Sequence, residues 1–231
     1  GYVDHSNKKK TYQSHYVGCK NLVNFFEKKK IKKFIQVGSS LEYGHIKSPH
    51  YERFKTVKIS SLKSVYTKSK LLATKHCLKT FHKNSFPVTI VRPYLVYGPG
   101  QKNNRLIPFI ISESLKNKHF PCSTGEQVRN FLFIDDFIRA IFKILSSKKI
   151  DGEIINIGSN ENFRIKRIIL MITNYINLGK TMLGKIKRRK DESLTYYQNI
   201  KKAKRLIKWR PLIKFEKGLT QTIKYYLKNN D

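Results

Sequence analysis

The sequence has 231 residues, of which 39% are hydrophobic and 12% are aromatic. A chain of this length can bury a core as one large domain or two small ones, and its composition excludes an intrinsically disordered protein. Its 48 Lys and Arg against 15 Asp and Glu give a formal charge of +33. Such a charge attracts any anionic ligand and raises the question of a polyanionic partner.

The basic residues are scattered along the chain, in short runs such as 8–10 and 28–30 and without a long basic tail. This distribution favours a lysine-rich solvated surface over a dedicated nucleic-acid site. Cys19, Cys77 and Cys122 are far apart and lack metal-binding spacing, which indicates reduced thiols. No apolar run approaches the ~20 residues of a membrane span, and no signal-peptide core opens the sequence. We therefore expect a cytoplasmic protein that makes no membrane contact.

Hydrophobic periodicity predicts alternating helices and strands in chain order. A helix over about residues 8–27 precedes a short buried strand from Phe34 to Val37, and a second helix covers about residues 62–83. The next segments are a strand in FPVTIVRPYLVYGPG, a helix in RLIPFIISESL, a strand and a helix in RNFLFIDDFIRAIFKIL, a strand in GEIINIGS, and a helix in FRIKRIILMITNYI. This order predicts an α/β fold with a doubly wound parallel sheet covered on both faces.

Parallel sheets of this kind bind ligands beyond the carboxyl ends of their strands. Small residues 38–40 follow one predicted strand, and the turn at residues 97–100 follows another. On the helix between them, Tyr66 and Lys70 are four residues apart and so share a face. Because lysine is abundant here, Tyr-x-x-x-Lys alone is a weak signal. Convergence of this helix with the two loops would turn the pair into a candidate site.

Several segments occur together in a characteristic order: VGSSLEYG, YTKSK, VRPYLVYGPG, RNFLFIDD, EIINIGS and KAKRLIKWRP. Over nearly the whole chain, this set resembles the extended short-chain dehydrogenase/reductases, in particular the nucleotide-sugar epimerase/dehydratase branch. The resemblance implies a Rossmann-like fold, NAD or NADP as cofactor, and a nucleotide-diphosphate sugar as substrate. Members of that family are often dimers through the tyrosine-bearing helix, so the resemblance also implies a homodimer.

The family's opening strand and its glycine-rich GxxGxxG turn have no match in this sequence. By the resemblance, Gly1 falls just after the fourth strand of the fold, so we expect roughly 60–70 residues of the fold to be missing and the chain alone to bind NAD(P) poorly. The expected fold is thus an N-terminally truncated Rossmann-like sheet with a smaller C-terminal substrate-binding subdomain. The predicted Rossmann part comprises 1–93, with 131–150 and part of 151–160 packing back on it, and the predicted substrate subdomain comprises 94–130 and 160–231.

The resemblance makes Tyr66 the proton-transfer residue, Lys70 its partner, and Ser39 the hydroxyl that positions the substrate. The reactive Ser or Thr of the family lies four residues before the Tyr of its YG pair, here Tyr43, which selects Ser39 and leaves Ser40 as the alternative. A free phenol has a pKa near ~10, and a neighbouring ammonium is expected to lower it towards the phenolate. The implied cofactor contacts are Gly38, Ser39, Tyr66, Lys70, Arg92 and Pro93.

The same resemblance points to phosphate contacts. Arg129 matches the family arginine that grips the diphosphate, and guanidinium suits bidentate recognition of phosphate oxygens. Arg188 or Arg189 is a second candidate, with an ordinary solvated basic run as the alternative. Asn104 and Arg105 open a predicted helix, whose N-terminus attracts anions. The implied substrate-binding set is Ser40, Asn104, Arg105, Arg129 and Arg188.

Other polar and aromatic residues receive structural interpretations. Asp135 and Asp136 are predicted to cap the helix that follows them. Trp209 and Pro211 resemble a packing block of the family and are predicted to lie in the core. The histidines lack HxxxH or HExxH spacing, so no metal site is predicted.

The residues after Ser39 bear on the reaction. Dehydratases of the family carry an acidic pair there, whereas this chain has Ser40 and Leu41, with Glu42 one place too late; this disfavours a dehydratase. A family Asn is replaced by Leu95, which weakens assignment as a standard UDP-glucose 4-epimerase. A nucleotide-sugar 4-epimerase of unusual specificity and a reductase of 4-keto-6-deoxy sugar nucleotides remain. The alternative from another class is a non-catalytic basic α/β protein that binds nucleic acid or another anionic partner.

Overall fold

The helical start of the chain follows the predicted range and contains one irregularity. A computed structural model describes residues 6–52, 58–188 and 192–229 of the protein. Helix α1 (Lys8–Tyr12) begins where the Asn7 side chain accepts a 2.9 Å hydrogen bond from the Lys10 amide. It continues through a π-helical segment (Gln13–Val17) into α2 (Gly18–Glu27). The predicted helix over residues 8–27 is confirmed, with a π segment that hydrophobic periodicity does not report.

Three parallel strands form the sheet that carries the site. They are β1 (Phe34–Val37), β2 (Val88–Pro93) and β6 (Ile154–Ile157), in the order β1-β2-β6. Strands β2 and β6 are almost entirely buried, whereas Val37 is 40% exposed and the rest of β1 is half-buried. The prediction of a buried first strand was correct in its bounds and wrong in its burial. Strand β1 lies at the edge of the sheet and has no partner on its outer side among the described residues.

Helix α3 (Val65–Asn84) connects β1 to β2 and carries the Tyr66 motif. It begins three residues later than predicted because the Ser64 side chain caps it, accepting a 3.1 Å hydrogen bond from the Thr67 amide. The helix ends at Ser85, whose φ of 52° lies in the left-handed region. The cap therefore sets Tyr66 in the first turn, at the carboxyl edge of the sheet.

Helices cover both faces of this sheet, as predicted for a doubly wound fold. Helices α2 and α3 cover one face through a cluster of apolar side chains that includes Val23, Cys77 and Ile90. The opposite face is covered by α5 (Ile134–Ser146) and α7 (Lys201–Ile207). Burial of apolar side chains on both faces is the main favourable term that holds such layers together.

The remaining elements form a second apolar cluster. They are β3 (Leu95–Tyr97), α4 (Leu106–Leu115), β4 (His119–Pro121), β5 (Val128–Phe133), β7 (Asn162–Arg164), α6 (Ile165–Ile176), β8 (Lys180–Met182), β9 (Thr195–Tyr196) and α8 (Phe215–Lys228). In this region β5 pairs in parallel with β3 and β9 and antiparallel with β7, and β4 pairs with β8. Aromatic and isoleucine side chains from α4, α6 and α8 fill the space against β5.

Asp136 does not cap the helix that it begins. Its carboxylate accepts hydrogen bonds from the amides of Leu212 (3.0 Å) and Ile213 (2.9 Å), and it pairs with Arg139. The predicted capping role is therefore wrong for Asp136, because the N-cap residue is Phe133 and no side chain caps the helix. Asp136 instead ties the segment after α7 to α5.

Trp209 occupies the core, as predicted. Its indole is almost fully buried and its Nε1 donates a 3.1 Å hydrogen bond to the Asp136 carbonyl. Trp209 and α7 pack against α5 and β6, in the cluster on the sheet, although the predicted boundary places residues 160–231 in the substrate subdomain. The remainder of that domain division stays a prediction. None of the helices that the structure describes is both long and apolar enough to cross a lipid bilayer.

A buried histidine organises the segment that follows the first strand. The His50 ring is fully buried and stacks on Tyr43, with ring centroids 4.8 Å apart. Its Nε2 lies 2.8 Å from the Ile46 carbonyl oxygen, which can only accept, so its Nδ1 accepts from the Tyr94 hydroxyl at 2.7 Å. Burial is the largest cause that lowers the pKa of His50, and the charge of Arg92 lowers it further.

We predict that His50 makes the fold sensitive to mild acid. A neutral ring is required by the Tyr94 bond, whereas the unfolded chain takes up a proton near the ordinary histidine pKa of ~6.5. Between the lowered folded pKa and that value, the unfolded state binds more protons, so the free energy of unfolding rises with pH. Urea unfolding measured from about pH 5 to about pH 7.5 should show this slope. The slope should be reduced in His50→Gln and retained in His82→Gln, whose ring is exposed. Equal slopes in all three proteins would contradict this role of His50.

Candidate active site

The loop after β1 folds back on itself through Ser39. Ser39 is the N-cap of a single 3₁₀ turn (Ser40–Tyr43), and its Oγ accepts a 3.2 Å hydrogen bond from the Leu41 amide. The Ser39 amide in turn donates to Glu42 Oε1 at 2.7 Å, which completes a capping box. A Cβ at Gly38 would lie 2.4 Å from Glu42 Oε1, so the loop requires glycine at this position.

The structure brings Ser39, Tyr66 and Lys70 together at the carboxyl edge of the sheet. The Ser39 side chain lies close enough to Tyr66 to lower the pKa of its phenol, and the Lys70 ammonium lies 5.9 Å from the centroid of the Tyr66 ring. Lys70 Nζ also donates a 2.8 Å hydrogen bond to the carbonyl of Val37, the last residue of β1. His15 contacts the Tyr66 ring edge-on, with centroids 5.0 Å apart. The helix cap at Ser64 and the turn at Ser39 thus place the three side chains in one crevice.

Burial dominates the acid–base properties of this group. It raises the pKa of the Tyr66 phenol; the hydrogen bond from Ser39 and the charge of Arg105 oppose this rise, and Glu42 adds to it. The expectation that Lys70 lowers the pKa of Tyr66 is therefore wrong for this chain. Burial also lowers the pKa of Lys70, while Glu42 and Cys19 raise it. At neutral pH the phenol is protonated, so it is ready to donate a proton.

Arg92 is not at the surface of the crevice but beneath it. Its guanidinium is fully buried and donates to Glu42 Oε2 from Nε (3.1 Å) and from Nη2 (2.9 Å). It also lies over the Tyr43 ring, 4.5 Å from the centroid. The side chain that was predicted to contact the cofactor is thus engaged by Glu42, and Pro93 continues the strand into its pairing with Ile157.

Sequence reasoning missed the role of Glu42. The carboxylate is fully buried and joins the Ser39 amide of one loop to Arg92 of the neighbouring strand. A signal for this pair was present: an arginine in the apolar run PVTIVRP requires a buried carboxylate partner, and Glu42 is the only acidic residue in the stretch VGSSLEYG.

The predicted phosphate-binding residues converge on a different carboxylate. Arg129 Nη2 lies 2.5 Å from Glu192 Oε1, and Gln127 Nε2 donates to the other oxygen of Glu192 at 3.2 Å. Arg188 Nη1 donates to the Glu192 main-chain carbonyl at 2.6 Å. Arg129 and Arg188 are therefore neighbours, as the prediction requires, while Arg189 lies outside the described residues. In this structure a carboxylate occupies the guanidinium face of Arg129.

One hydrogen bond links the strands around Arg129 to the loop that carries Ser39 and Ser40. Tyr196 pairs with Arg129 between strands β9 and β5, and its hydroxyl donates a 2.7 Å hydrogen bond to the Ser40 carbonyl. Arg105, the exposed N-cap residue of α4, lies near enough to Tyr66 that its charge lowers the pKa of the phenol. Asn104 is exposed immediately before it.

The residues present fit one half of a dinucleotide. Lys70 and Tyr66 lie at the carboxyl end of β1, where Lys70 Nζ bonds the Val37 carbonyl, so an ammonium and a phenol are available there to the nicotinamide ring and its ribose. A glycine-rich phosphate turn is not part of this sequence, so the fit covers the nicotinamide end and not the pyrophosphate. Among the residues that the structure describes, no group of three or more His, Cys, Asp or Glu side chains is placed to hold a metal ion.

Residues 1–158 match the model of the NAD dependent epimerase/dehydratase family. A dTDP-glucose 4,6-dehydratase of Haemophilus influenzae is 32% identical over 180 residues, which cover 72% of this chain and 53% of that protein. A UDP-glucuronate 4-epimerase of Thermodesulfobacterium geofontis is 29% identical over 227 residues, which cover 94% and 66%. The chain thus spans between about half and two thirds of the length of these curated relatives.

Solved structures share the fold. The UDP-glucuronic acid 4-epimerase of Bacillus cereus, in complex with UDP-glucuronic acid and NAD, superposes with a TM-score of 0.84 at 27% identity. The match covers 93% of this chain and 68% of that one. The three-stranded parallel sheet and its helices are therefore part of a known α/β architecture of the Rossmann type.

We predict that the Glu42–Arg92 pair is a major source of stability at the site. Removing one partner leaves a buried charge unpaired, which costs about 3–5 kcal/mol, whereas replacing both with apolar residues costs far less. Urea unfolding should therefore show a large loss in the free energy of unfolding for Glu42→Leu and for Arg92→Leu. The double variant should lose less free energy of unfolding than the two single losses added together.

The partly exposed Lys33–Asp151 pair supplies the control, because Asp151→Asn should change the free energy of unfolding little. Additive losses at Glu42 and Arg92 would show that the two side chains act independently.

Proposed function

The chain belongs to the NAD dependent epimerase/dehydratase family, and we propose that the whole protein is an NAD(P)-dependent nucleotide-sugar 4-epimerase or 4-keto-sugar reductase. One observation carries the proposal: Ser39, Tyr66 and Lys70 meet at the carboxyl edge of the parallel sheet, beside the exposed end of β1. In this reading the chain supplies the proton-transfer group and the sugar-nucleotide contacts.

The residues have distinct tasks. A nicotinamide cofactor, when bound, would supply hydride transfer to or from a sugar carbon. Protonated Tyr66 donates its proton to the ketone oxygen as that carbon is reduced and becomes a phenolate; in the reverse direction the Tyr66 phenolate takes the proton of the hydroxyl. The Ser39 hydroxyl positions the reacting oxygen, and the Lys70 ammonium holds the ribose and offsets negative charge on Tyr66. Both an epimerase and a reductase use these steps, so the proposal keeps both.

Elimination of water is disfavoured in this proposal. Glu42, in the 3₁₀ turn after Ser39, is fully buried against Arg92 and so does not reach a substrate. Leu41 is 44% exposed at the neighbouring position and has no proton to exchange. Dehydratases are among the relatives by name, and at the positions where the family resemblance leads us to expect their acidic pair this chain has Ser40 and Leu41.

The proposed substrate is a nucleoside diphosphate linked to a sugar. Arg129 already binds a carboxylate at 2.5 Å, and a diphosphate of higher charge would exchange with Glu192 at the same guanidinium. Arg188, which bonds the Glu192 carbonyl, adds positive charge beside Arg129, and the net charge of +33 favours the approach of an anion. The UDP-glucuronic acid of the Bacillus cereus complex belongs to this chemical class.

Self-association through α3 and the cytoplasmic location both stay predictions. The face between α2 and α3 is a groove lined by Lys20, Lys75, Lys79 and Lys83, so a symmetric contact there would oppose like charges. Such a dimer is expected to be stronger at high salt, where this repulsion is screened.

The alternative of a nucleic-acid-binding protein ranks behind the enzyme. Exposed lysines occur on α3 and also on α8, for example Lys79 and Lys217, which belong to opposite parts of the molecule. A dedicated nucleic-acid surface concentrates its charge along one face.

We predict that Tyr66→Phe abolishes turnover in the full-length protein. The variant retains the ring that contacts His15 but lacks the proton, and general acid–base groups typically contribute about 10²–10⁴-fold to the rate. Product analysis with nucleotide-diphosphate hexoses and their 4-keto derivatives is the measurement, with unfolding by urea to confirm that the fold is intact. An equally active Tyr66→Phe would refute the assignment, while the identity of the product would separate epimerase from reductase.

We predict that the described chain itself binds UDP or dTDP through Arg129. Loss of a charge-assisted hydrogen bond costs about 1.5–3 kcal/mol, so Arg129→Leu should weaken binding by about 10-fold to about 100-fold in titration calorimetry. Arg167→Leu is the matched control, because Arg167 forms an exposed pair with Glu216 and not with Glu192. Equal weakening in the two variants would attribute binding to net charge alone.

A further inference from the structure

Two cysteines lie against each other beneath the candidate site. Cys19 in the first turn of α2 and Cys77 in the middle of α3 have their sulfur atoms 3.7 Å apart. Both are free thiols in the structure, and Cys19 also donates a 3.3 Å hydrogen bond to Gln36 Oε1 on β1. Cys122, the third cysteine, lies in the other apolar cluster. Cys19 and Cys77 therefore form a dithiol whose two sulfur atoms lie against each other, and Cys122 is not part of it.

The two thiols are not equivalent. Cys19 is 7% exposed and Cys77 is fully buried. The hydrogen bond from Cys77 lowers the pKa of Cys19, and the charge of Lys70 lowers it further, against the effect of burial. The pKa of Cys77 is raised, first by the same hydrogen bond and then by burial. Because the thiolate is the nucleophile, Cys19 is the sulfur that attacks first.

The pair is also next to Lys70. Gln36 and Val37 are adjacent on β1, and they accept hydrogen bonds from Cys19 and from Lys70 respectively. Lys70 and Cys77 are seven residues apart on α3, which places them about two turns apart on nearly the same side of the helix. A change at the sulfur atoms therefore reaches Lys70 through β1 and through α3.

From this geometry we propose that Cys19 and Cys77 form a thiol–disulfide site that reacts with low-molecular-weight disulfides and whose oxidation alters the amine of Lys70. The Cys19 thiolate attacks one sulfur of the small disulfide, forming a mixed disulfide and releasing one small thiolate. The Cys77 thiol then loses its proton and attacks the Cys19 sulfur, forming the internal bond and releasing the second thiolate. The protein loses two electrons and two protons, and the small disulfide takes them up to become two thiols.

The consequence for Lys70 follows from charge and distance. A disulfide has a sulfur separation of about 2.05 Å, so oxidation draws α2 and α3 together at these residues. It also removes the Cys19 hydrogen bond to Gln36 and the anionic form of Cys19, which raises the pKa of Lys70 in the reduced protein. Oxidised protein therefore holds a larger fraction of Lys70 as neutral amine. In a reducing compartment such a bond forms transiently, as in redox-sensing proteins.

Bond formation does not depend on the proposed enzymatic function, and it is tested without any activity assay. The folded full chain is incubated with oxidised glutathione and analysed by intact mass and peptide mapping. We expect loss of two hydrogen atoms, a Cys19–Cys77 linked peptide, and reversal by dithiothreitol. Cys122→Ser should behave the same, whereas Cys77→Ser should stop at glutathione on Cys19. If Cys77→Ser folds poorly, Cys77→Ala replaces it as the variant that lacks the second thiol. The Cys19–Cys77 linkage itself is measured in the wild-type protein and needs neither variant.

The effect on Lys70 is measured by brief acetylation with a succinimidyl ester and quantified by mass spectrometry. Lys70 should react several-fold faster in the oxidised protein, while Lys68, two residues away on the same helix, should be unchanged. The proposal is overturned if the folded chain forms no internal bond, if Cys122 takes part, if oxidation requires denaturant, or if the labelling of Lys70 relative to Lys68 stays constant.

Discussion

Glu42 and Arg92 form the buried ion pair on which the candidate site depends. Arg92 stands in the central strand of a three-stranded sheet and has no access to water, so its charge is tolerable only against a carboxylate. Glu42 supplies it and uses its other oxygen to hold the Ser39 amide. One carboxylate therefore joins the strand to the loop, and the position of the Ser39 hydroxyl follows from that connection.

The same burial that makes this pair necessary sets the chemistry above it. Low solvent access raises the pKa of Tyr66 and lowers that of Lys70, and each shift favours the neutral form of the group. Glu42 acts on both residues, opposing the loss of charge at Lys70 and adding to the rise at Tyr66. The carboxylate that positions Ser39 is thus also the nearest anionic influence on the proton-transfer pair. Stability and acid–base behaviour at this site have a common origin.

Local pattern was sufficient for the main helices and strands up to α6, because period, caps and strand ends are encoded in neighbouring residues. It did not predict β4, β8, β9, α7 or α8, and the grouping of Ser39, Tyr66 and Lys70 was expected from the family resemblance. It was insufficient where a long-range partner decides the outcome. Asp136 reads as a capping residue, yet it accepts bonds from amides 76 and 77 positions away. The phenol of Tyr66 reads as acidified by a neighbouring ammonium, yet burial raises its pKa. Val37 reads as a core residue, yet it is 40% exposed at the end of a strand that is paired on one side only among the described residues.

Lysine is so abundant in this chain that residue type alone does not single out Lys70. What distinguishes it is the set of partners that a partly buried ammonium acquires: the Val37 carbonyl, the carboxylate of Glu42 and the sulfur of Cys19. Lys79, on the same helix, is exposed. Burial makes the charge of Lys70 depend on these neighbours, and a residue whose charge depends on its neighbours is one that they can control. The Tyr-x-x-x-Lys pattern therefore gains its meaning from the interior of the fold rather than from the spacing of its letters.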